Sequence, residues 1–227
     1  MDTIEQFEKF YENIKLTKNQ REDVKTKYRG VCKKLHDNYY PSTEYSGKTK
    51  LLIGSYAKHT HIRPARDVDV VFIMPPEKFK QYDDNENSNC QSQLLQDIKK
   101  ILEEKYPNTP IKADEKVVAL QFADIKHNVE LLPAWENTDG TFMIPNSKNK
   151  GSWETWNPRL EIQKIKDSSK KTGVTKKLIR MVKKWSDICS VNIKSYKIEN
   201  CMLDFLASYD LKNATIALVM RDYFEFA

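Results

Sequence analysis

"LLIGSYAKHTHIRPARDVDVVFIMP", residues 51 to 75, contains two short apolar runs; a Gly-Ser pair follows the first, and two aspartates one residue apart open the second. Runs of this length rich in Leu, Ile and Val read as strands, here Lys50 to Ile53 and Val68 to Met74, with Gly54-Ser55 turning the chain between them. Asp67 and Asp69 are two apart on the second strand, so both side chains leave one face, about 6–7 Å apart along the backbone. Like charges so placed repel. One reading is a solvated turn at the head of a strand. The other is a shared divalent cation, since hard ions such as Mg²⁺ take oxygen ligands and a two-metal site holds its ions ~3.5–4 Å apart.

The Gly-Ser pair bears on that choice. Gly54 lets the backbone come close to a ligand, and Ser55 is placed to cap a short helix whose free N–H groups would cradle a triphosphate. A plain turn is the alternative. A third carboxylate is expected from a neighbouring strand, and in "HNVELLPAW" Glu130 is the one acid in a run apolar enough to be central. A glutamate on an exposed face fits the same residues.

Working outward, Ile4, Phe7, Phe10, Tyr11 and Ile14, then Val24, Tyr28, Val31, Cys32 and Leu35, recur at helical steps. They predict two helices between Thr3 and about Asn38, divided near Thr17 to Asn19. Pro41 to Lys48 reads as a loop. Pro75 to Asn89, with its DDNENSN, reads as a polar surface excursion. Leu94, Leu95, Ile98, Ile101 and Leu102 mark a helix, and Val117 to Phe122 and Val129 to Leu132 two more strands. Trp135 to Arg159 has no periodicity and is taken as a crossing between lobes. Beyond Leu160, the stripes Leu178, Ile179, Val182, Trp185 and Ile198, Met202, Phe205, Leu206 return to helical spacing. The predicted organisation is N-terminal helices over 1–40 bridging two lobes, a sheet-bearing lobe over 41–150 and a helical lobe over 151–227. The terminal DYFEFA, apolar to its last residue, suggests a chain that stops short of a further helix.

The net charge of +6, from 38 basic against 32 acidic residues, permits nucleotide or nucleic-acid partners without requiring them. Cys32, Cys90, Cys189 and Cys201 form no CxxC pair, which argues against a structural zinc site and a disulfide framework alike. The first residues lack the basic flank and apolar block of a signal peptide, and no apolar run approaches ~18 residues. A soluble cytoplasmic protein with no membrane partner is expected.

"IGSYAKHTHIRPARDVDVVFIMP", followed in order by "VELLPA", "FMIPN", "WNPR", "LIRMVKKW" and "IKSYKIEN", resembles the polymerase-beta-type nucleotidyltransferases. Within them the chain is most similar to the bacterial cyclases related to cyclic GMP-AMP synthase and oligoadenylate synthetase, over roughly residues 50 to 200. The resemblance implies an α+β fold: a nucleotidyltransferase palm of small mixed sheet and helices, plus a helical lobe, with the active site in the cleft between them. It implies that Asp67, Asp69 and Glu130 are the catalytic carboxylates and hold two Mg²⁺ ions, with Mn²⁺ able to substitute. The family usually has Asp at the third position, where this chain has Glu130. Gly54 and Ser55 would hold the donor phosphates. Lys184 in "VKKW" and Ser195 in "KSY" match positions that reach the beta and gamma phosphates, and Tyr196 one that stacks on a base. Lys58, Arg63 and Arg66 lie near the phosphates in sequence and read equally well as spectators.

The activity so implied is synthesis of a cyclic or short oligonucleotide second messenger from ATP and other nucleoside triphosphates (GTP, UTP or CTP), releasing pyrophosphate, in bacterial anti-phage defence. A downstream effector would bind the product, and zinc-dependent DNA sensing is not expected. Two alternatives stand beside it: a nucleotidyltransferase that modifies a protein or a tRNA end, and a decayed nucleotide-binding module.

Overall fold

The computed structural model describes residues 2–83, 89–123 and 128–227. The chain divides into two compact units, each assembled from separate stretches: residues 18–54 with 66–158, and residues 1–17 with 55–65 and 159–227. No helix among the described residues is long and apolar enough to cross a membrane.

The first unit is built on a mixed sheet. Its strands are β1 (Lys50–Leu52), β2 (Val68–Ile73), β3 (Ile111–Asp114), β4 (Val117–Gln121), β5 (Asn128–Glu136), β6 (Phe142–Asn146) and β7 (Ser152–Trp156). The order β1-β2-β5-β4-β3 has β2 and β5 parallel and the other pairs antiparallel, and β6 continues from the far end of β5 to β7. Val68, Val70 and Phe72 of β2, with Val129 and Leu131 of β5, are fully buried. Their face meets α2 (Lys18–Tyr39), where Tyr39 and Tyr40 pack their rings on Phe72. The stripe predicted for α2, from Val24 to Leu35, is the stripe it buries. The opposite face carries Val71, Leu132, Ala134, Phe142 and Ile144, which form their own cluster with Ile53.

Several sequence expectations need correction here. Residues 135–159 are not a crossing: the end of β5, β6 and β7 form an antiparallel run, so the sheet continues to Trp156 rather than stopping at 150. Trp135 and Trp153 stack edge to face with ring centroids 5.5 Å apart, and aromatic packing of this kind leaves no apolar periodicity to read. β5 runs through Pro133, which falls between the ends of the β4 and β6 ladders, where a missing N–H interrupts neither. β3 was not expected. Its turn to β4 at Glu115-Lys116 lacks the usual glycine or asparagine, and Glu115 takes φ +49° with its carboxylate held by Lys148 Nζ at 2.6 Å. The excursion after Pro75 begins with a 3-10 turn (Pro76–Lys78) and α4 (Phe79–Asp83), which turns Phe79 onto Trp135 and buries Tyr82; most of DDNENSN, residues 84–88, lies outside the described residues. Asn89 then caps α5 (Cys90–Lys105) by accepting from Ser92 N at 2.8 Å.

The second unit is helical: α1 (Thr3–Ile14), most of α3 (Gly54–Lys58), α6 (Pro158–Thr172), α7 (Thr175–Ile188), α8 (Ser195–Ser208) and α9 (Ile216–Phe226). A capping box between Asp2 and Glu5 starts α1. Its Ile14 is buried, while Ile4, expected on the same stripe, is exposed at the first turn. Leu178, Ile179 and Val182 of α7 and Ile198, Met202, Phe205 and Leu206 of α8 form one core with Val219, Met220 and Tyr223 of α9, as the two stripes predicted. The N-terminal helices therefore divide, α1 with the helical unit and α2 with the sheet.

Candidate active site

The parallel pairing of β2 with β5 sets Asp69 directly opposite Glu130. Residues in register on adjacent strands share a face, and Asp67, two before Asp69, lies on it as well. The parallel register thus brings the three predicted carboxylates together at the starting ends of β2 and β5, beyond the apolar cluster around Val71 and Leu132. Asn128 stands two residues before Glu130 on β5, and its Nδ2 donates to Asp67 Oδ1 at 2.8 Å. Sequence reading passed over it. Its signal was a polar amide two residues from a candidate ligand on a strand.

The Gly54 backbone closes against this group. Gly54 takes φ +57°, and a Cβ built there would stand 2.0 Å from Asp69 Oδ2. No other residue fits, for the conformation and for the space. Ile53 N donates to the Asp69 carbonyl at 3.1 Å, tying the end of β1 to the carboxylate strand. Ser55 is not the cap of the helix that follows, because α3 begins at Gly54 and Ser55 is already inside its first turn.

Burial pushes the Glu130 carboxyl above the usual carboxylate range, and the charge of Asp67 adds to the shift. The carboxylates therefore feel one another. Among the described residues, however, no group of three His, Cys, Asp or Glu side chains is gathered closely enough to hold a metal ion. The donor set suits a hard divalent ion, being all oxygen and half-buried, and a cation between the carboxylates would reverse the shift on Glu130.

The remaining candidates, Arg66 apart, belong to the helical unit. Lys184 is half-buried on α7, and Ser195 and Tyr196 are the first two residues of α8, with Tyr196 exposed by 52%. The ring of Tyr196 borders a cavity of about 190 Å³ that Lys58, Lys164, Glu199 and Asn200 also line. Arg63 is half-buried and Arg66 exposed. Lys58 is not the surface spectator that one reading allowed: it is buried, and its Nζ lies 2.8 Å from both Glu161 Oε2 and Glu199 Oε2. The other Glu199 oxygen accepts from Lys183 Nζ at 2.6 Å and from Thr60 Oγ1 at 2.9 Å. Sequence reading missed Lys183, Thr60 and Glu199. Lys183 stands four residues after buried Ile179 and three before buried Ser186, a helical step that marked it as inward-facing.

Comparison with known proteins agrees with this architecture. Over 210 residues the chain is 25% identical to a probable cyclic nucleotide synthase of Bacillus cereus (strain VD146), covering 80% of this chain but only 62% of that protein. It is also 25% identical over 219 residues to the CBASS oligonucleotide cyclase CdnC of Escherichia coli (strain KTE188), covering 92% of this chain and 67% of that one. Among solved structures, E. coli MS115-1 CdnC with ATP superposes with a TM-score of 0.70 at 19% identity, over 99% of this chain and 70% of that chain. The Vibrio cholerae cyclic AMP-GMP synthase DncV, in complex with a linear intermediate, gives 0.74 at 13% identity over 95% and 74%. These likenesses establish the polymerase-beta-type nucleotidyltransferase fold. The family described as the Second Messenger Oligonucleotide or Dinucleotide Synthetase domain matches residues 1–169, about three quarters of the sequence, and the chain belongs to it.

Proposed function

We propose that this chain is a metal-dependent nucleotidyltransferase that joins nucleoside triphosphates into a cyclic or short linear oligonucleotide and releases pyrophosphate. The observation that carries the reading is the in-register pair Asp69 and Glu130 on neighbouring parallel strands, with Asp67 on the same face and Gly54 closed against Asp69. The relatives named as cyclic nucleotide synthase and oligonucleotide cyclase support it.

In this reading Asp67, Asp69 and Glu130 would hold two Mg²⁺ ions, replaceable by Mn²⁺, whose chemistry when bound would be to neutralise the triphosphate and lower the pKa of an acceptor ribose hydroxyl. The Gly54-Ser55 backbone and the Ser55 hydroxyl bind donor phosphates, and Lys184 and Ser195 meet the beta and gamma phosphates. Tyr196, exposed at the head of α8, offers its ring to a base. Glu130 stands on the acceptor side. There its carboxylate would orient the hydroxyl and accept its proton, for relay to solvent, as that oxygen bonds to the alpha phosphorus and the bond to pyrophosphate breaks. The product would act as a second messenger in bacterial anti-phage defence, read by a separate effector.

The test is incubation with labelled ATP, GTP, CTP and UTP in Mg²⁺ or Mn²⁺, followed by separation of products. Pyrophosphate release with a new phosphodiester is expected, and its absence with all four nucleotides in both metals overturns the reading. Nucleotide binding without turnover is the second reading, favoured by Glu130 standing where the family usually has Asp. In that case ATP would bind and stay intact.

A further inference from the structure

Lys58, Thr60, Lys183 and Glu199 come from four places in the helical unit: α3, the segment after it, α7 and α8. All four side chains are buried, Thr60 completely, and both Glu199 oxygens are engaged at 2.6–2.9 Å. Lys183 Nζ also donates to Thr60 Oγ1 at 3.0 Å, which closes Lys183, Thr60 and Glu199 into a ring of contacts, with Lys58 joined to it through Glu199. Burying such ions is expensive, and a well-packed apolar replacement of a buried ion pair is often as stable or more so. What an apolar cluster lacks is direction. Hydrogen bonds to one carboxylate hold their partners to a few tenths of an ångström and a narrow angle, whereas methyl groups slide.

The elements joined here are those that carry the candidate phosphate and base contacts of this unit. Lys58 is three residues from Ser55 on the same short helix, and Lys183 immediately precedes Lys184. Glu199 is one turn into α8 from Ser195 and Tyr196. Consecutive residues on a helix point about 100° apart, so anchoring Lys183 inward directs Lys184 out of the core. The twin lysines of "VKKW" thus divide into an anchor and a half-buried side chain.

We propose that Glu199 is a positioning residue for nucleotide binding: by accepting from Lys58, Thr60 and Lys183, it fixes the spacing of Ser55, Lys184, Ser195 and Tyr196. This rests on the nucleotidyltransferase reading above. The alternative is that the cluster serves stability alone.

Two variants of the full chain separate these. Glu199→Gln keeps the shape and removes the charge that orients both lysines. A combined Lys58→Met, Thr60→Val, Lys183→Met, Glu199→Met variant replaces the whole cluster by apolar groups. Melting temperature is measured beside the dissociation constant for ATP in calcium and the KM and kcat for ATP in magnesium. The apolar variant is expected to melt within a few degrees of wild type yet bind ATP about tenfold or more weakly, with KM rising more than kcat falls. Restoring Glu199 and both lysines while keeping only the Thr60→Val substitution should recover most of the affinity. Unchanged ATP affinity in a folded apolar variant overturns the proposal, and so does failure of that variant to fold, since the cluster would then be a folding requirement rather than a spacing device. Wild type that binds no ATP sinks the nucleotidyltransferase reading itself, a separate result.

Discussion

At the head of β2, Asp67, Asp69 and Glu130 put three like charges on one half-buried sheet face. In the helical unit, Glu199 faces the oppositely charged Lys58 and Lys183, and Glu161 faces Lys58. Burial acts on a glutamate in both places, but the outcomes are opposite. Glu130 is pushed up by desolvation and by the neighbouring Asp67. For Glu199 burial works in the same direction, yet the ammonium groups of Lys183 and Lys58 and their hydrogen bonds outweigh it and hold the carboxyl below its usual range. A site that gathers like charges on one face is arranged for something that is not part of the chain, and one that cancels them is arranged for the chain itself.

The largest effect that breaks this contrast is expected from Asp67→Asn combined with Asp69→Asn. Pyrophosphate release should fall to background. Melting temperature should hold or rise, because two repelling charges leave one strand face. Activity surviving in that variant would place the metal ions elsewhere.

Next comes Gly54→Ala. The left-handed backbone and the approach of Asp69 Oδ2 both oppose a Cβ, and together they should cost roughly 2–5 kcal/mol, with activity lost as the carboxylate is displaced. Denaturant unfolding measures this, and a cost below about 1 kcal/mol would mean that Asp69 yields freely.

Glu130→Gln gives a smaller effect, whose sign distinguishes the two clusters. Because the folded pKa of Glu130 lies above its unfolded value, the folded state binds more protons, and this group's contribution becomes less favourable as pH rises from the ordinary glutamate range through the raised value. The amide should therefore raise the melting temperature at neutral pH without divalent ions and leave it unchanged in strong acid, while turnover drops sharply. Glu130→Asp should keep appreciable activity. For Glu199 the linkage is reversed: its folded pKa is depressed, so its stabilisation is present above the unfolded value and lost as pH falls through the folded one. Melting curves of Glu130→Gln and Glu199→Gln across pH should bend in opposite senses, and parallel curves would refute the contrast.

The smallest effect belongs to Glu161→Gln. Glu161 is half-exposed and shares Lys58 with Glu199, so its loss should cost under about 1 kcal/mol and leave ATP affinity within about twofold. A larger change in affinity would extend the positioning role to α6.

Much of this protein was legible from local pattern. The stripes of α2, α7 and α8 announced themselves because a helix buries every third or fourth residue, and the strand at Val68 because it carries an apolar run behind two acids. The same two-residue repeat put Asp67 and Asp69 on one face before any fold was known. Tertiary structure decided the rest. That Glu130 lies opposite Asp69 depends on the parallel register of strands about 60 residues apart, which no local repeat encodes. The β6–β7 extension carries tryptophan packing, and β3 is held by its ladder to β4 across a turn with no glycine or asparagine to announce it. A helical step marks Lys183 as inward-facing, but nothing local shows what Lys58, Lys183 and Glu199 pair with, because the cost of burying a charge is met by partners as far as 141 residues away, and only the folded chain brings those partners within hydrogen-bonding distance.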